Sequence, residues 1–370
     1  MASPETSADR YIGLMSGTSL DGADAVLVDF SAGMPSILAS CQLPYSPSIR
    51  AQALALQRAG HNELHLAALL GNQLAHVYAR AALDVVEQAG LASQDIAAIG
   101  CHGQTLRHRP QDGYTLQIGN PALLAEQTGI SVVTDFRSRD IAAGGQGAPL
   151  VPAFHDALFR KTNSHRIILN LGGIANITNL APGKPTTGFD CGPANMLIDA
   201  WAEKNIAVPM DSNGEWALTG NVIPELLNSL LADSYFDAPP PKSCGREQFG
   251  IDWLFKSLTG NERPQDVQAT LVKLTAQTIS QAIAKWCGTP NEVFACGGGV
   301  NNGALMNSLR SLLPSANLNT TDMLGVPAHL VESIAFAWLA RCFTRGEAGN
   351  LPAVTGAKGP RILGANYPAT

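Results

Sequence analysis

The sequence predicts an α/β protein of two domains, each with a largely parallel sheet that has hairpins at its margins. Predicted strands alternate with predicted helices in both halves of the chain, which is the pattern of strands joined by helical crossovers. The length of 370 residues exceeds the size, about 250 to 300 residues, at which one hydrophobic core stops growing. Each half contains an apolar strand, a glycine-rich polar turn and a second strand. An internal duplication is one explanation of this repetition.

Composition narrows the class of protein. Apolar residues make up 45% and charged residues 15%, with a mean hydropathy of +0.05, as in ordinary globular proteins. A net charge of -6 provides no general excess of cations for nucleic acid. The N-terminus has no signal-peptide pattern, and no apolar run approaches the roughly 18 residues that span a bilayer. The seven cysteines contain no C-x-x-C pair. We therefore expect a cytoplasmic protein with reduced thiols that binds neither nucleic acid nor membrane.

The first half begins with strands at 11–15 and 23–30, which flank the turn "SGTSLDG" and predict a β-hairpin. Helical periodicity then extends over 48–90. A buried strand at 96–101 leads into the polar "HGQTLRHRP". The segment 130–149 passes from a strand through a charged loop to a glycine-rich connector, which is the predicted domain boundary.

The second half repeats the strand, glycine turn and strand in "HRIILNLGGIANITNL", after a predicted helix "VPAFHDALFRK". A strand then runs into "FDCGPANMLIDAW". A long helix at 264–287 precedes the strand "EVFAC", which enters "GGGVNN" and another helix. An amphipathic helix at 329–343 and a glycine- and proline-rich tail end the chain.

The first turn is not a known glycine-rich phosphate loop. It lacks G-x-x-x-x-G-K-[ST] and G-x-G-x-x-G, and a strand follows where those loops need a helix. Its backbone N–H groups and the hydroxyls of Ser16, Thr18 and Ser19 are suited to an anion, with Asp21 or Asp24 within reach of a metal or its waters. A plain polar turn is the alternative.

The second turn and the later glycine strip complete a predicted nucleotide site. "NLGGIANIT" offers Asn170, Asn176 and Thr178 as neutral donors beside a Gly-Gly that allows close backbone approach. In "ACGGGVNN", residues 297–299 give a flat backbone surface for a base or ribose, unless they form only a mobile turn. One such turn in each half predicts a phosphate chain bound between the two domains.

Asp190 is the predicted catalytic residue. It ends a strand, and Gly192 with Pro193 at the first helical position begins a helix, which projects the carboxylate from the end of the sheet. A single carboxylate there is suited to accept a proton beside a transferring phosphoryl group. Helix capping is the alternative role.

Two further motifs are suited to a polyhydroxylated, carboxylated ligand. "CHGQT" and "TDFRSRD" each follow a strand and bring together His102, Gln104, Arg137, Arg139 and Asp140. By contrast, the histidine pair in "HNELH" lacks the zinc-protease spacing and an evident third ligand.

These motifs in this chain order resemble the superfamily of sugar kinases, Hsp70 and actin. The strings "GLMSGTSLDGADAV", "HGQT", "TDFRSRDIAAGGQGAPLVPAFH", "LNLGGIANIT", "FDCGPANMLID" and "CGGGVNN" are similar to those of the anhydro-N-acetylmuramic acid kinase family over nearly the whole chain. The resemblance implies a two-domain actin-like ATPase fold with a central cleft, each domain a mixed sheet flanked by helices. It also implies an N-terminal domain of residues 1–135 plus 345–370 and a C-terminal domain of residues 136–344.

The resemblance implies a homodimeric enzyme of peptidoglycan recycling. With ATP and Mg²⁺ it would open the 1,6-anhydro ring of anhydro-N-acetylmuramic acid and phosphorylate O6, giving N-acetylmuramic acid 6-phosphate. Asp190 would activate the water that attacks C1. The resemblance leaves the protein ligands of Mg²⁺ open.

Further site residues follow from the resemblance. His102, Gln104, Arg137 and Glu332 match sugar-side positions. The sequence departs from the family at Cys244, where Thr is expected, and at Ser333, where Ala is expected. The positions that match nucleotide contacts are Gly17, Thr18, Ser19, Leu20, Asp21, Gly22, Ala23, Asp24, Gly172, Gly173, Asn176, Gly297, Gly298 and Gly299.

Two other functions are compatible with parts of the pattern. An actin-like or Hsp70-like ATPase would hydrolyse ATP without sugar and would need a filament surface or a peptide-binding domain, and no additional domain is visible in the sequence. A sugar-binding regulator without catalysis is disfavoured because Asp190 and both glycine turns are intact.

Overall fold

The computed structural model describes residues 9–17, 20–245 and 248–369, and this chain forms two compact units. The first unit contains the residues up to Phe154 together with those from Leu330 onward, and the second runs from His155 to His329. The domain boundaries predicted from the sequence, after residue 135 and before residue 345, differ from the boundaries of these two units. The difference arises because the helix Val331–Arg345 packs on strands of the first unit.

The first unit contains a six-stranded sheet and a separate hairpin. Across the sheet the order is β13-β7-β4-β1-β2-β3, in which β1, β4 and β7 are parallel and β2 is antiparallel to both of its neighbours. Strands β5 and β6 pair with each other as a separate two-stranded sheet. Numbered along the chain, the strands are β1 (Arg10–Met15), β2 (Gly22–Asp29), β3 (Ser36–Pro44), β4 (Ala98–Cys101), β5 (Gln104–Arg109), β6 (Tyr114–Ile118), β7 (Val132–Thr134) and β13 (Ala365–Tyr367).

Helices cover both faces of this sheet. One face buries Ile12, Leu14 and Leu27 in a core that includes residues of the long helix α2. On the other face, a Cβ at Gly13 would lie 1.8 Å from the Ser333 carbonyl oxygen, so helix α12 rests directly on the strand backbone. The helices are α1 (Pro47–Leu56), α2 (Glu63–Gln88), α3 (Pro121–Thr128), α4 (Ser138–Ala142), α5 (Val151–Phe159, which contains the unit boundary), α12 (Val331–Arg345) and α13 (Pro352–Thr355).

The C-terminal tail returns to the first unit. Strand β13 pairs antiparallel with β7 at the edge of the sheet. The fully buried carboxylate of Asp140 accepts hydrogen bonds from Asn350 Nδ2 at 2.6 Å and from the Thr355 hydroxyl at 2.7 Å. These contacts explain why residues 136–154 belong with the first unit.

The second unit has a five-stranded sheet in the order β10-β9-β8-β11-β12. Strand β9 is antiparallel to both neighbours, whereas β8, β11 and β12 are parallel. One face buries Leu169, Ile177 and Phe189 in a core with residues of the long helix α10 (Pro264–Ala282). The strands are β8 (Arg166–Leu171), β9 (Ile174–Leu180), β10 (Thr187–Pro193), β11 (Glu292–Cys296) and β12 (Asn317–Thr320).

The second unit contains six helices among the residues that the structure describes. The longest of them, α10, continues into a π-helical turn, Ile283–Cys287. None of the helices within the described ranges has the length and apolar content needed to cross a membrane. The helices are α6 (Asn195–Ile206), α7 (Pro224–Leu231), α8 (Ser234–Asp237), α9 (Ile251–Phe255), α10 (Pro264–Ala282) and α11 (Gly303–Leu312).

Five strands of the first sheet and the five strands of the second share one topology, and β13 is an additional edge strand of the first. In each, the first three strands of the unit form an antiparallel meander, and two later strands add in parallel beside the first. This repeated order is that of the actin-like ATPase fold, and it supports the duplication that the two hairpins predict. The α/β class with a mixed sheet flanked by helices in each unit is confirmed, while the largely parallel sheet is wrong because each meander is antiparallel.

Candidate active site

The turn between β1 and β2 is fastened to the start of β5. Gln104 Nε2 donates to the Gly17 carbonyl oxygen at 3.2 Å, and the buried Ser16 hydroxyl donates to the Gly103 carbonyl oxygen at 3.1 Å. Leu20 follows with a φ of +59° and a fully buried side chain. Gln104, a predicted sugar-side residue, thus holds the predicted nucleotide turn. Thr18 and Ser19, predicted nucleotide contacts, lie outside the described residues.

A chain of buried hydroxyls supports the same turn. Ser16 Oγ lies 2.8 Å from the Tyr78 hydroxyl oxygen, which lies 3.2 Å from that of Tyr45. Burial raises the pKa of Tyr45 to about 12, so its phenol stays protonated. The tyrosines were not predicted as site residues. Their positions in β3–α1 and α2 carry no local motif that links them to a turn about 30 to 60 residues away.

Carboxylates gather beside the turn in the first unit. Burial, followed by the charges of Asp21 and Glu332, raises the pKa of Asp24 to about 6. Glu332 lies in the first turn of α12. The predicted sugar-side Glu332 and the predicted nucleotide-side Asp24 therefore lie in the same electrostatic neighbourhood.

The buried His102 and the half-buried Arg137 form a hydrogen-bonded pair in the first unit. Arg137 donates through Nε and Nη2 to His102 Nε2, at 3.3 and 2.9 Å. Because Nε2 accepts, the neutral ring carries its proton on Nδ1. Burial, followed by the nearby Arg137 charge, lowers the pKa of His102 to about 3. The ring lies 4.7 Å from that of Phe336, one helical turn after Glu332, so three predicted sugar-side residues converge.

In the second unit, strand register places polar side chains in one row. Asn170 on β8 pairs with Asn176 on β9, which pairs with Asp190 on β10. Residues that pair directly across strands project from the same face of the sheet. The neighbours Leu169 and Phe189 point to the core face, so the row lies on the other face.

The glycine turn between β8 and β9 binds the start of α6. The Gly173 carbonyl oxygen accepts from the N–H groups of Ala194 and Met196 at 2.9 and 3.2 Å, and that of Gly172 accepts from Asn195 at 3.1 Å. The carbonyls of the turn thus face the helix. Pro193 was expected at the first helical position, which is wrong: it is the last residue of β10, because the turn carbonyls bind the next three amides.

Asp190 is held by the segment from Tyr235 to Cys244. Its side chain is 8% exposed, and its Oδ2 accepts from the Cys244 N–H at 3.0 Å. Its own N–H donates to the Lys242 carbonyl oxygen at 3.1 Å, and its carbonyl oxygen accepts from the Tyr235 hydroxyl at 2.9 Å. Cys244 contributes its backbone N–H here, a contact that a threonine at this position would also provide.

The three glycines that follow β11 have different surroundings. Gly297 has a φ of +82°, and a Cβ there would lie 2.4 Å from Asn170 Oδ1. A Cβ at Gly299 would lie 2.7 Å from Leu171 Cβ, whereas one at Gly298 meets nothing within 4 Å. Asn302 caps the next helix, where its Oδ1 accepts from the Leu305 N–H at 3.0 Å. The open backbone surface is therefore at Gly298, while its neighbours are glycines for close packing.

The residues thus form two groups, one in each unit. The first unit brings together the first turn, His102, Arg137 and Glu332, and the second brings together the second turn, Asp190 and the glycine strip. Within the described ranges, no three His, Cys, Asp or Glu side chains are grouped so that they could hold a metal ion by themselves.

The chain matches the family model described as anhydro-N-acetylmuramic acid kinase over residues 9–369. It is 55% identical to a protein of that name from Nitrosomonas europaea, with 97% of this chain and 99% of the relative covered. It is 52% identical to a protein of the same name from Chromobacterium violaceum, with 97% of this chain and 99% of the relative covered. It is also 52% identical to one from Thiobacillus denitrificans, with 100% of both chains covered. The chain belongs to the anhydro-N-acetylmuramic acid kinase family.

Proposed function

We propose that this chain is an ATP-dependent kinase that opens the 1,6-anhydro ring of anhydro-N-acetylmuramic acid and phosphorylates O6. The product is N-acetylmuramic acid 6-phosphate, within peptidoglycan recycling. Family membership supports the reaction, and the observation that carries it is the row Asn170, Asn176 and Asp190 beside the Gly172–Gly173 turn. This row presents one carboxylate among neutral donors.

Asp190 is proposed as the general base. Its carboxylate takes a proton from a water molecule as the water oxygen forms a bond to C1 of the sugar. The C1–O6 bond breaks, and the released O6 forms a bond to the γ-phosphorus while ADP leaves with the bridging electron pair. A carboxylate fixed by hydrogen bonds suits this role because proton transfer requires a base at a set distance.

Backbone groups are proposed to bind the nucleotide. The turns at 17–24 and 172–173 would contact phosphates, with Asn176 as a neutral donor. Gly298 would lie against the adenosine, because its Cα faces open space on a backbone without side chains. Neutral contacts of this kind suit a nucleotide that carries its own divalent cation.

Mg²⁺ is proposed to bind beside Asp21 and Asp24. Burial, followed by the charges of Asp21 and Glu332, raises the pKa of Asp24, and a cation would offset the negative charge of these carboxylates. Mg²⁺ typically uses one or two carboxylates together with phosphate oxygens and waters, which fits this set. When bound, Mg²⁺ supplies neutralisation of phosphate charge.

His102, Arg137 and Glu332 are proposed to bind the sugar, with Gln104 holding the adjoining turn. Arg137 is restrained by the Gly147 carbonyl oxygen at 2.8 Å as well as by His102. A guanidinium fixed in this way is suited to the carboxylate of the lactyl group. We further propose a cytoplasmic location and a homodimer, as the family resemblance implies.

The test uses purified protein and compares different sugars as phosphoryl acceptors. Phosphoryl transfer from γ-labelled ATP is measured with anhydro-N-acetylmuramic acid and, separately, with open-ring N-acetylmuramic acid and N-acetylglucosamine. We expect transfer to the anhydro sugar with one ADP formed per phosphosugar, and little transfer to the open-ring sugars. Equal rates with all three sugars, or ADP formation without phosphosugar, would contradict the proposal.

A further inference from the structure

All three kinds of hydrogen-bonding group in Asp190 contact one ten-residue segment. The backbone N–H binds the Lys242 carbonyl oxygen, the backbone carbonyl binds the Tyr235 hydroxyl, and Oδ2 binds the Cys244 N–H, at 3.1, 2.9 and 3.0 Å. The segment Tyr235–Cys244 thus continues the hydrogen bonding of β10 at the open edge of the sheet. Its position determines that of the carboxylate.

Lys242 closes this segment on itself. Its Nζ donates to the carbonyl oxygens of Tyr235 at 2.8 Å and Phe236 at 3.3 Å, and it lies 4.6 Å from the centre of the Tyr235 ring. Both carbonyls belong to the short helix α8. The ammonium therefore joins the two ends of the segment and presses against the ring whose hydroxyl binds Asp190.

Aromatic packing fixes the other side of the segment. Phe236 stacks on the fully buried Phe249, with ring centroids 5.5 Å apart. A Cβ at Gly192, two residues after Asp190, would lie only 2.7 Å from the Phe236 ring. The backbone of β10 and the segment are therefore in direct contact at Asp190 and at Gly192.

The contacts of Lys242 show which groups its ammonium binds. Two carbonyls and a ring face already surround its ammonium, so it is directed to its own segment. We propose that Lys242 and Tyr235 are positioning residues that fix the carboxylate of Asp190. The inference rests on the proposed role of Asp190 and adds the residues on which that role depends.

The expected consequence is kinetic. A misplacement of a reacting group by about 1 Å can reduce a rate by about a hundredfold. Loss of one hydrogen bond in the segment leaves the others in place, so a smaller effect of about tenfold on kcat is expected for a single substitution. The Tyr235 hydroxyl is bonded to Asp190 and the Lys242 ammonium to its own segment, so we expect KM to stay unchanged.

The experiment measures kcat, KM and the pH dependence of kcat with ATP and anhydro-N-acetylmuramic acid. Tyr235→Phe removes one hydroxyl, Lys242→Met removes the ammonium, and Lys242→Arg keeps a cation over the ring. We expect the first two to lower kcat about tenfold at constant KM for both substrates, and Lys242→Arg to retain most of the rate. An N–H donor favours the ionised form of a carboxylate, so a looser segment should move the acidic limb of the kcat profile to higher pH.

The matched control is Lys285→Met. Lys285 also contacts α8, through the Asp237 carboxylate at 2.6 Å and the Asp237 carbonyl oxygen at 3.2 Å, and also lies over an aromatic ring, that of Trp286. Asp237 is not one of the three residues whose hydrogen bonds to Asp190 are described above. We expect wild-type kcat from this variant. Its thermal unfolding also shows what the loss of a lysine on α8 does to folding alone.

The outcomes separate the positioning role of Lys242 and Tyr235 from the proposed function. Wild-type kcat and pH profile in both Tyr235→Phe and Lys242→Met would overturn the inference while the proposed function stands. A wild-type protein that transfers no phosphoryl group to the anhydro sugar would overturn both. Should Lys242→Met fail to fold, Tyr235→Phe, which removes a single oxygen, decides alone.

Discussion

At the scale of single residues, chemistry and packing impose different demands on neighbouring glycines. Gly297 and Gly299 lie against the end of β8, where an added Cβ would overlap Asn170 or Leu171. Gly298 lies between them with open space beside its Cα. The sequence "GGG" alone does not separate these roles, because both close packing and ligand contact favour glycine.

This difference gives a paired prediction. Gly297→Ala should destabilise the protein by about 3 kcal/mol, because a positive φ and a 2.4 Å approach must both be relieved. Gly298→Ala should change the free energy of unfolding by less than about 0.5 kcal/mol and raise KM for ATP several-fold. Denaturant unfolding and ATP-dependent kinetics check the pair, and a destabilised Gly298→Ala with normal KM would count against a nucleotide surface there.

Elements differ in how far sequence reveals them. Both hairpins, the helix pattern of α2 and the Asn302 cap have local signals, and each is present. The end of β10 at Pro193 was not predicted, because it depends on the carbonyls of a turn about 20 residues earlier. The segment at Asp190 and the hydroxyl chain at Ser16 also depend on distant contacts. Local propensity therefore identified the candidate residues but not the groups that hold them.

We predict that the C-terminal tail affects the position of Arg137 through a chain of hydrogen bonds. Asn350 and Thr355 bind Asp140 Oδ1, Asp140 Oδ2 accepts from the Gly147 N–H, and the Gly147 carbonyl binds Arg137. This chain of bonds connects the tail to the proposed sugar-side arginine. The tail should therefore affect both stability and sugar binding.

Asn350→Ala tests that connection. Removing one donor from a buried carboxylate should cost about 2 to 3 kcal/mol of stability and raise KM for the sugar with little change in KM for ATP. Asn366→Ala, on the exposed face of β13, is the control and should resemble wild type. Loss of stability with an unchanged sugar KM would limit the tail to a structural role.

At the scale of the whole molecule, neutral histidines that are buried (His102, His155) or half-buried (His108) set the response to acid. Burial lowers the pKa of His155 to about 3 and that of His108 to about 4, as it does for His102. Between these values and the ordinary pKa of about 6.5, the unfolded chain binds more protons than the folded chain. Stability therefore falls as pH falls through this window.

The corresponding prediction concerns thermal unfolding between pH 7.5 and 5. The melting temperature should be nearly constant above pH 7 and should fall below about pH 6.5, each buried histidine contributing roughly 2 kcal/mol by pH 5. His155→Asn should reduce the steepness of the fall, since that site no longer titrates. A melting temperature that rises on acidification would contradict the neutral assignment.

The central claim is that Asp190 is the base of a kinase that opens an anhydro sugar. The most direct measurement is kcat of Asp190→Asn with ATP and anhydro-N-acetylmuramic acid, beside direct ATP binding and an Asp252→Asn control on the exposed side of α9. We predict that kcat falls by about 10² to 10⁴ while ATP binds with wild-type affinity, because general-base catalysis is lost and the nucleotide contacts remain. Near-normal turnover in Asp190→Asn would contradict the account.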